Sequence, residues 1–131
     1  MTTHHTDERT LPADLQARLD HLEGLERNWD SYDAEPISPK AISLAKTVVC
    51  RSIAALERHG AKNVYPFAIA PVSDGGVQLE WRGPAGFVEI EISPSGSLTA
   101  LVGGGEPSSP AEEERPNVSV ADIATLLVAI G

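Results

Sequence analysis

Val77-Gln78-Leu79-Glu80-Trp81-Arg82-Gly83-Pro84-Ala85-Gly86-Phe87-Val88-Glu89-Ile90-Glu91-Ile92 is the stretch that decides the fold of this chain. Apolar residues take alternate positions on both sides of a Gly/Pro turn, which is the period of strands with one buried and one solvated face. Val77, Leu79 and Trp81 must share a face with Val88, Ile90 and Ile92, because a slip of one residue would expose one set. A tight turn at Pro84-Ala85 then sets Trp81 opposite Val88, Leu79 opposite Ile90 and Glu80 opposite Glu89. The buried face is aliphatic with one indole. The other face carries Gln78, Glu80, Glu89, Glu91 and Thr99.

The same period continues on either side. Tyr65 to Val72 reads as a strand interrupted by Pro66 and Pro71, and proline cannot donate to a ladder, so this is expected to be an edge strand. Ser73-Asp74-Gly75-Gly76 closes a hairpin onto Val77. Ser93-Pro94-Ser95-Gly96-Ser97 makes the next turn, and Leu98 to Val102 the fourth strand. Short turns between neighbours predict an antiparallel meander in the order 1-2-3-4. Residues 103–118 are rich in Gly, Pro, Ser and Glu without periodicity and are expected to form a flexible loop.

Toward the N-terminus the period changes to that of a helix. Leu15, Leu19 and Leu22, with Leu25 beyond them, form one apolar stripe. That helix is expected to start near Leu11, with Thr10 as cap and Pro12 in the first turn, and to stop between Gly24 and Arg27. Ser38-Pro39 opens a second helix, capped by the serine hydroxyl. It runs through Ala41, Ile42, Ala45, Val48, Val49, Ile53 and Leu56 to His59-Gly60, where glycine suits the left-handed closing residue. Its broad apolar arc predicts that it lies across the sheet. Ser119 and Asp122 resemble a capping box before a last helix carrying Val120, Ile123, Leu126, Leu127 and Ile130.

The fold expected is α+β: two N-terminal helices, a four-stranded antiparallel meander and a C-terminal helix. Residues 1–10 are polar and aperiodic and are expected to be a disordered tail. Residues 11–131 are expected to form a single domain.

The net charge of −9 repels phosphate backbones and sets nucleic acid aside as a direct partner. It favours basic protein partners. Cys50 is the lone cysteine, so neither an internal disulfide nor a Cys-rich zinc site can form, and its apolar helical setting is that of a small buried hydrophobe. No run approaches the roughly 18 apolar residues of a membrane span. The first residues lack a basic segment followed by an apolar one, so a cytoplasmic location without membrane association is expected.

Between the two N-terminal helices lies Asn28-Trp29-Asp30-Ser31-Tyr32-Asp33-Ala34-Glu35-Pro36. Connectors seldom carry large aromatics, so this one is expected to fold as the joint between the helical and sheet halves. Asp30 or Ser31 can turn its side chain onto backbone N–H groups. Trp29 can close the end of the core while its indole N–H finds a carbonyl.

Candidate partner- or ligand-binding residues fall in two sets: Asn28, Trp29, Asp30 and Tyr32 in the joint, and Gln78, Glu80, Glu89 and Glu91 on the outward sheet face. Glu80 opposite Glu89 is a like-charge pair, which costs stability when exposed. Paired carboxylates serve acid–base chemistry when burial separates their pKa values, and hold hard cations when several converge. A sheet face, however, encloses no pocket and brings no histidine here. There is no Gly-x-Ser-x-Gly, Cys50 has no histidine partner in the pattern, and Gly103-Gly104-Gly105 runs into Glu106 rather than the Lys-Ser/Thr of a phosphate loop. No catalytic residue, metal ligand set or cofactor is expected.

The run from Gly24 to Tyr32 with Ala34 and Pro36, followed by Asp74-Gly75-Gly76-Val77-Gln78-Leu79-Glu80-Trp81 and Glu89-Ile90-Glu91-Ile92, resembles a scattered group of small, uncharacterised bacterial proteins. These carry a Gly-Leu-x-x-Asn-Trp-Asp-Ser-Tyr-Gly-Ala-x-Pro block and a Gly-Gly-x-x-Leu-Glu-Trp block. The resemblance spans residues 22–102 and departs at Asp33, where the group tends to have glycine. It implies a shared fold and that Asn28, Trp29, Asp30, Tyr32, Glu80 and Trp81 act together. It implies no mechanism.

Three functional readings follow. The leading one is a non-enzymatic protein-binding module of antitoxin, immunity or accessory type, its acidic surface docking a basic protein. The second is a small-molecule or metal-binding domain, hydrolytic if it is an enzyme at all, which requires Asp30, Tyr32, Glu80 and Glu89 to converge in one pocket. The third is a homo-oligomeric structural protein joined through an unpaired strand edge or the last helix.

Overall fold

A computed structural model describes residues 11–104 and 112–131. Its elements are α1 (Ala13–Glu23), α2 (Pro39–Arg58), β1 (Ala68–Pro71), β2 (Val77–Gly83), β3 (Gly86–Ile92), β4 (Leu98–Gly104), β5 (Glu112–Pro116) and α3 (Val120–Ile130). The strands form one antiparallel sheet in the order β1-β2-β3-β4-β5. The class is α+β, as expected from the two hydrophobic periods.

The β2–β3 register is the one the alternation demands, with Trp81 opposite Val88, Leu79 opposite Ile90 and Glu80 opposite Glu89. β1 is an edge strand, shorter than the apolar run, with Pro66 before it and Pro71 as its last residue. The four-strand expectation is corrected by β5, which pairs with β4 from Thr99 opposite Pro116 to Gly103 opposite Glu112. Gly103 and Gly104 belong to β4, so of the expected loop over 103–118 residues 103–104 and 112–116 are strand. Residues 105–111, like the tail and the Thr10 cap, lie outside the described residues. β5 escapes a hydrophobic reading because every residue of Glu112-Glu113-Glu114-Arg115-Pro116 is exposed. Backbone pairing alone holds it, and a charged, proline-ended edge strand resists pairing with other chains.

Local chemistry explains the helices. The Ser38 hydroxyl accepts hydrogen bonds from the N–H groups of Lys40 and Ala41 at 3.1 and 3.3 Å. It also donates to the Pro94 carbonyl at 2.8 Å, which fastens the start of α2 to the β3–β4 turn. Gly60 takes φ +72° just past the end of α2. Ser119 and Asp122 form the reciprocal capping box, both bonds at 3.0 Å. The Ala85 N–H donates to the Ile130 carbonyl at 3.3 Å, tying the end of α3 to the β2–β3 turn.

All three helices lie on one side of the sheet. α2 crosses β2 and β3, α3 packs beside α2 over the same strands, and α1 packs on α2 and β1. The core between them joins Leu15, Leu19 and Leu22 to Val48, Val49, Ile53 and Leu56, and these to Leu79, Trp81, Val88, Ile90 and Ile123. Cys50 is half-buried and packs against this core. No helix among the described residues is long and apolar enough to cross a membrane.

Ser52 sits in this core at 0% exposure, and its hydroxyl has no hydrogen-bond partner among the described residues. An unmade buried hydrogen bond costs about 1–3 kcal/mol. Ser52→Ala removes the stranded hydroxyl with little change in volume. It is expected to raise stability by about 1 kcal/mol, read as a higher urea midpoint with an unchanged m-value.

Candidate docking face

Residues opposite one another in an antiparallel pair share a face, so the register builds rows across the sheet. One outward row reads Ala68, Glu80, Glu89, Leu101 and Glu114. A second reads Ala70, Gln78, Glu91, Thr99 and Pro116. A third joins Arg82, Phe87, Gly103 and Glu112. Their neighbours along β2, β3 and β4 are the buried core residues, so these rows point away from the helices. This face has no covering layer among the described residues.

The carboxylates of Glu80, Glu89, Glu91, Glu112 and Glu114 therefore spread over one open surface. Arg82 is the cation that the rows contain, and it is already engaged. Its Nε lies 2.8 Å from Glu80 Oε2, and its guanidinium stacks 3.6 Å from the centre of the exposed Phe67 ring. Phe87 lies flat across Gly103, where any side chain would drive into the ring, and this pair marks one end of the face. Two shallow hollows open on it. One of about 440 Å³ is lined by Glu80, Arg82, Phe87, Glu89 and the adjoining glycines, and one of about 150 Å³ by Glu89, Glu91, Thr99, Leu101 and Glu114.

Partial burial raises the pKa of Glu89 above its ordinary value, and the charges of Glu80, Glu91 and Glu112 push it further the same way. The folded state thus holds the Glu89 proton more tightly than the unfolded chain does. Protonated Glu89 favours folding below the ordinary glutamate range, and that benefit is lost as pH rises through the elevated folded pKa. At neutral pH the charge costs stability. Glu89→Gln is expected to stabilise the fold by about 0.2–1 kcal/mol at pH 7, the scale of a directly opposed like-charge pair. The advantage is expected to shrink to nothing in urea titrations carried down to acid pH.

The joint builds itself from its own side chains. Asn28, Ser31 and Asp33 all take the left-handed conformation, at φ 67°, 68° and 66°. Asp30 Oδ1 accepts hydrogen bonds from the N–H groups of Tyr32 at 2.7 Å and Ala34 at 3.1 Å. Asn28 Oδ1 accepts from the Asp33 N–H at 2.7 Å, and the Asn28 N–H donates to the Ala34 carbonyl at 2.7 Å. The Trp29 indole N–H donates to the Glu35 carbonyl at 2.7 Å, while its ring packs against the core. Arg27 reaches both Asp33, at 3.3 Å, and Glu35, at 3.1 Å. The Glu35 N–H then donates to the Ser73 carbonyl at 2.9 Å, which binds the joint to the β1–β2 turn.

The two sets of candidate residues do not meet. Gln78, Glu80, Glu89 and Glu91 share the open face. Trp29 lies beside Ile69 and Pro71, whose side chains are on the helix side of β1. Asp30 and Asn28 spend their side chains on the joint's own backbone. Tyr32 is 87% exposed and points away from the core. Among the described residues no group of three or more His, Cys, Asp or Glu side chains is placed to hold a metal ion. Sequence reasoning missed Glu112 and Glu114 as members of the face, because nothing in a run of three glutamates says which of them points outward. It also missed Phe87, whose outward position in the alternation was a readable signal, and Phe67, which precedes β1 and whose place beside Arg82 the alternation does not give. Compared with known protein-family models, curated proteins and solved structures, the chain matches none.

Proposed function

We propose that this chain is a non-enzymatic protein-binding module that docks a basic protein partner on its uncovered sheet face. The observation that carries the reading is the Glu80–Glu89 pair at the centre of that face, with Glu91, Glu112 and Glu114 around it. A face meant only for solvent gains stability from interspersed lysines. This one keeps opposed like charges that weaken the fold, an arrangement that profits from a cationic partner. Phe67, Phe87 and Leu101 beside the carboxylates supply the apolar contact that interfaces draw their energy from.

The separation of Asp30 and Tyr32 from Glu80 and Glu89 weighs against the pocket that a small-molecule or hydrolytic reading needs. Self-association through the open face would press carboxylates against carboxylates. Pairing at the sheet edges is discouraged by Pro71 of β1 and the charges of β5. An antitoxin, immunity or accessory role acting in the cytoplasm fits these features best.

The test is affinity capture from the native host with the wild-type chain and with the triple variant Glu80→Gln, Glu89→Gln, Glu91→Gln. A basic protein is expected on the wild-type column, released as salt shortens the Debye length below about 10 Å, and lost from the variant. Equal retention on both columns, or retention indifferent to salt, would overturn the proposal.

A further inference from the structure

On the other side of the sheet, a groove of about 540 Å³ opens between α1 and the edge strand β1. We infer that it is a binding site for a small apolar monocarboxylate. Its size falls within the roughly 300–1,000 Å³ of small-ligand sites. Leu25, Trp29, Ile69 and Pro71 line it and are only half-buried, so the described residues leave an apolar surface uncovered beside the core.

The polar groups around it are few, and they select the ligand. The Trp29 N–H is already held by the Glu35 carbonyl, so the indole offers only its ring face. Arg18 and His21 stand at the groove on successive turns of α1. Among the described residues neither takes part in an ion pair. Asp20, between them in sequence, accepts a hydrogen bond from Gln16 Nε2 at 2.8 Å. In a chain of net charge −9, the Arg18 guanidinium over an apolar floor, with the His21 imidazole one turn on, is an unpaired donor set for an anion. A guanidinium fork matches a carboxylate with two parallel hydrogen bonds. The ligand that satisfies the site has one anionic head for Arg18 and His21 and a hydrocarbon body lying under Trp29. Among the described lining residues no other side chain offers a free donor to a dianion or a polar molecule.

The probe is decanoate, with decanol and decylamine as comparators of the same chain length. Binding is followed by calorimetry and by the indole N–H signals of Trp29 and Trp81 in nuclear magnetic resonance spectra. Decanoate is expected to bind saturably and to move the Trp29 signal while leaving that of Trp81, which is 1% exposed, in place. Arg18→Gln is expected to weaken decanoate tenfold or more, about 1.4 kcal/mol, and to leave decanol unaffected. A thermal melt of the variant shows that it is folded. The inference is overturned if decanoate gives no saturable shift at Trp29, or if decanol and decylamine bind the wild-type chain as tightly as decanoate does. The comparators need no variant, so the result stands even if Arg18→Gln perturbs α1.

Discussion

Replacing Trp81 with alanine is expected to cost about 3–5 kcal/mol, the range for emptying a buried aromatic site. Trp81 is 1% exposed and faces Val88 across the β2–β3 pair. Its indole N–H also donates to the Val64 carbonyl at 3.1 Å, which anchors the segment entering β1. Removing it opens a cavity under α2 and α3 and strands that carbonyl. Against a typical total stability of about 5–15 kcal/mol, such a loss leaves a marginal protein. Urea denaturation followed by circular dichroism measures it directly. Trp81→Phe keeps most of the apolar volume and loses the hydrogen bond, so a smaller cost of about 1–2 kcal/mol is expected. If Trp81→Ala costs less than Trp81→Phe, the indole is not the keystone of this core.

Asp30→Ala is expected to destabilise the fold by about 2 kcal/mol, because charged acceptors are worth about 1.5–3 kcal/mol in such bonds. Its carboxylate satisfies the Tyr32 and Ala34 N–H groups, and Ala34 is 1% exposed. Asp30→Asn keeps an acceptor at the same place and is expected to lose less. Asp33→Gly is expected to act in the opposite sense. Asp33 sits at φ 66°, where a side chain is strained and glycine is not. The Arg27–Asp33 ion pair given up is 58% and 76% exposed at its two side chains and is worth little. A net gain of about 0.5 kcal/mol is expected, the strain relieved less the entropy of a more flexible residue. Opposite signs at residues so close together separate hydrogen bonding from backbone strain. Thermal melts of the three variants at neutral pH make the comparison.

Aspartate at position 33 has a physical meaning in this light. The position demands a left-handed backbone in this chain, and aspartate meets it while gaining Arg27 as a neighbour. The Asn-Trp-Asp block reads in the same way. Asn28 and Asp30 act as acceptors for backbone N–H groups, and Trp29 is the anchor against the core. The structural roles of these residues in the joint account for the spacing without invoking a ligand.

The β2–β3 register, the Ser38 cap, the left-handed Gly60 and the Ser119–Asp122 box were legible in the chain itself. Each depends on the period of apolar residues or on a side chain bonding a backbone group a few positions away, so the determining interactions are local in sequence. β5 was not legible. Its hydrogen bonds go to β4 across residues 105–111, and its side chains bury nothing, so no local signal marks it as a strand. The composition of the open face was decided by the same pairing, which brings Glu112 and Glu114 beside Glu89 and Leu101. The separation of Asp30 from Glu80 and the groove under Trp29 were also settled only in three dimensions. The sheet has two sides, and which of them a distant loop reaches depends on helix packing rather than on any residue pattern.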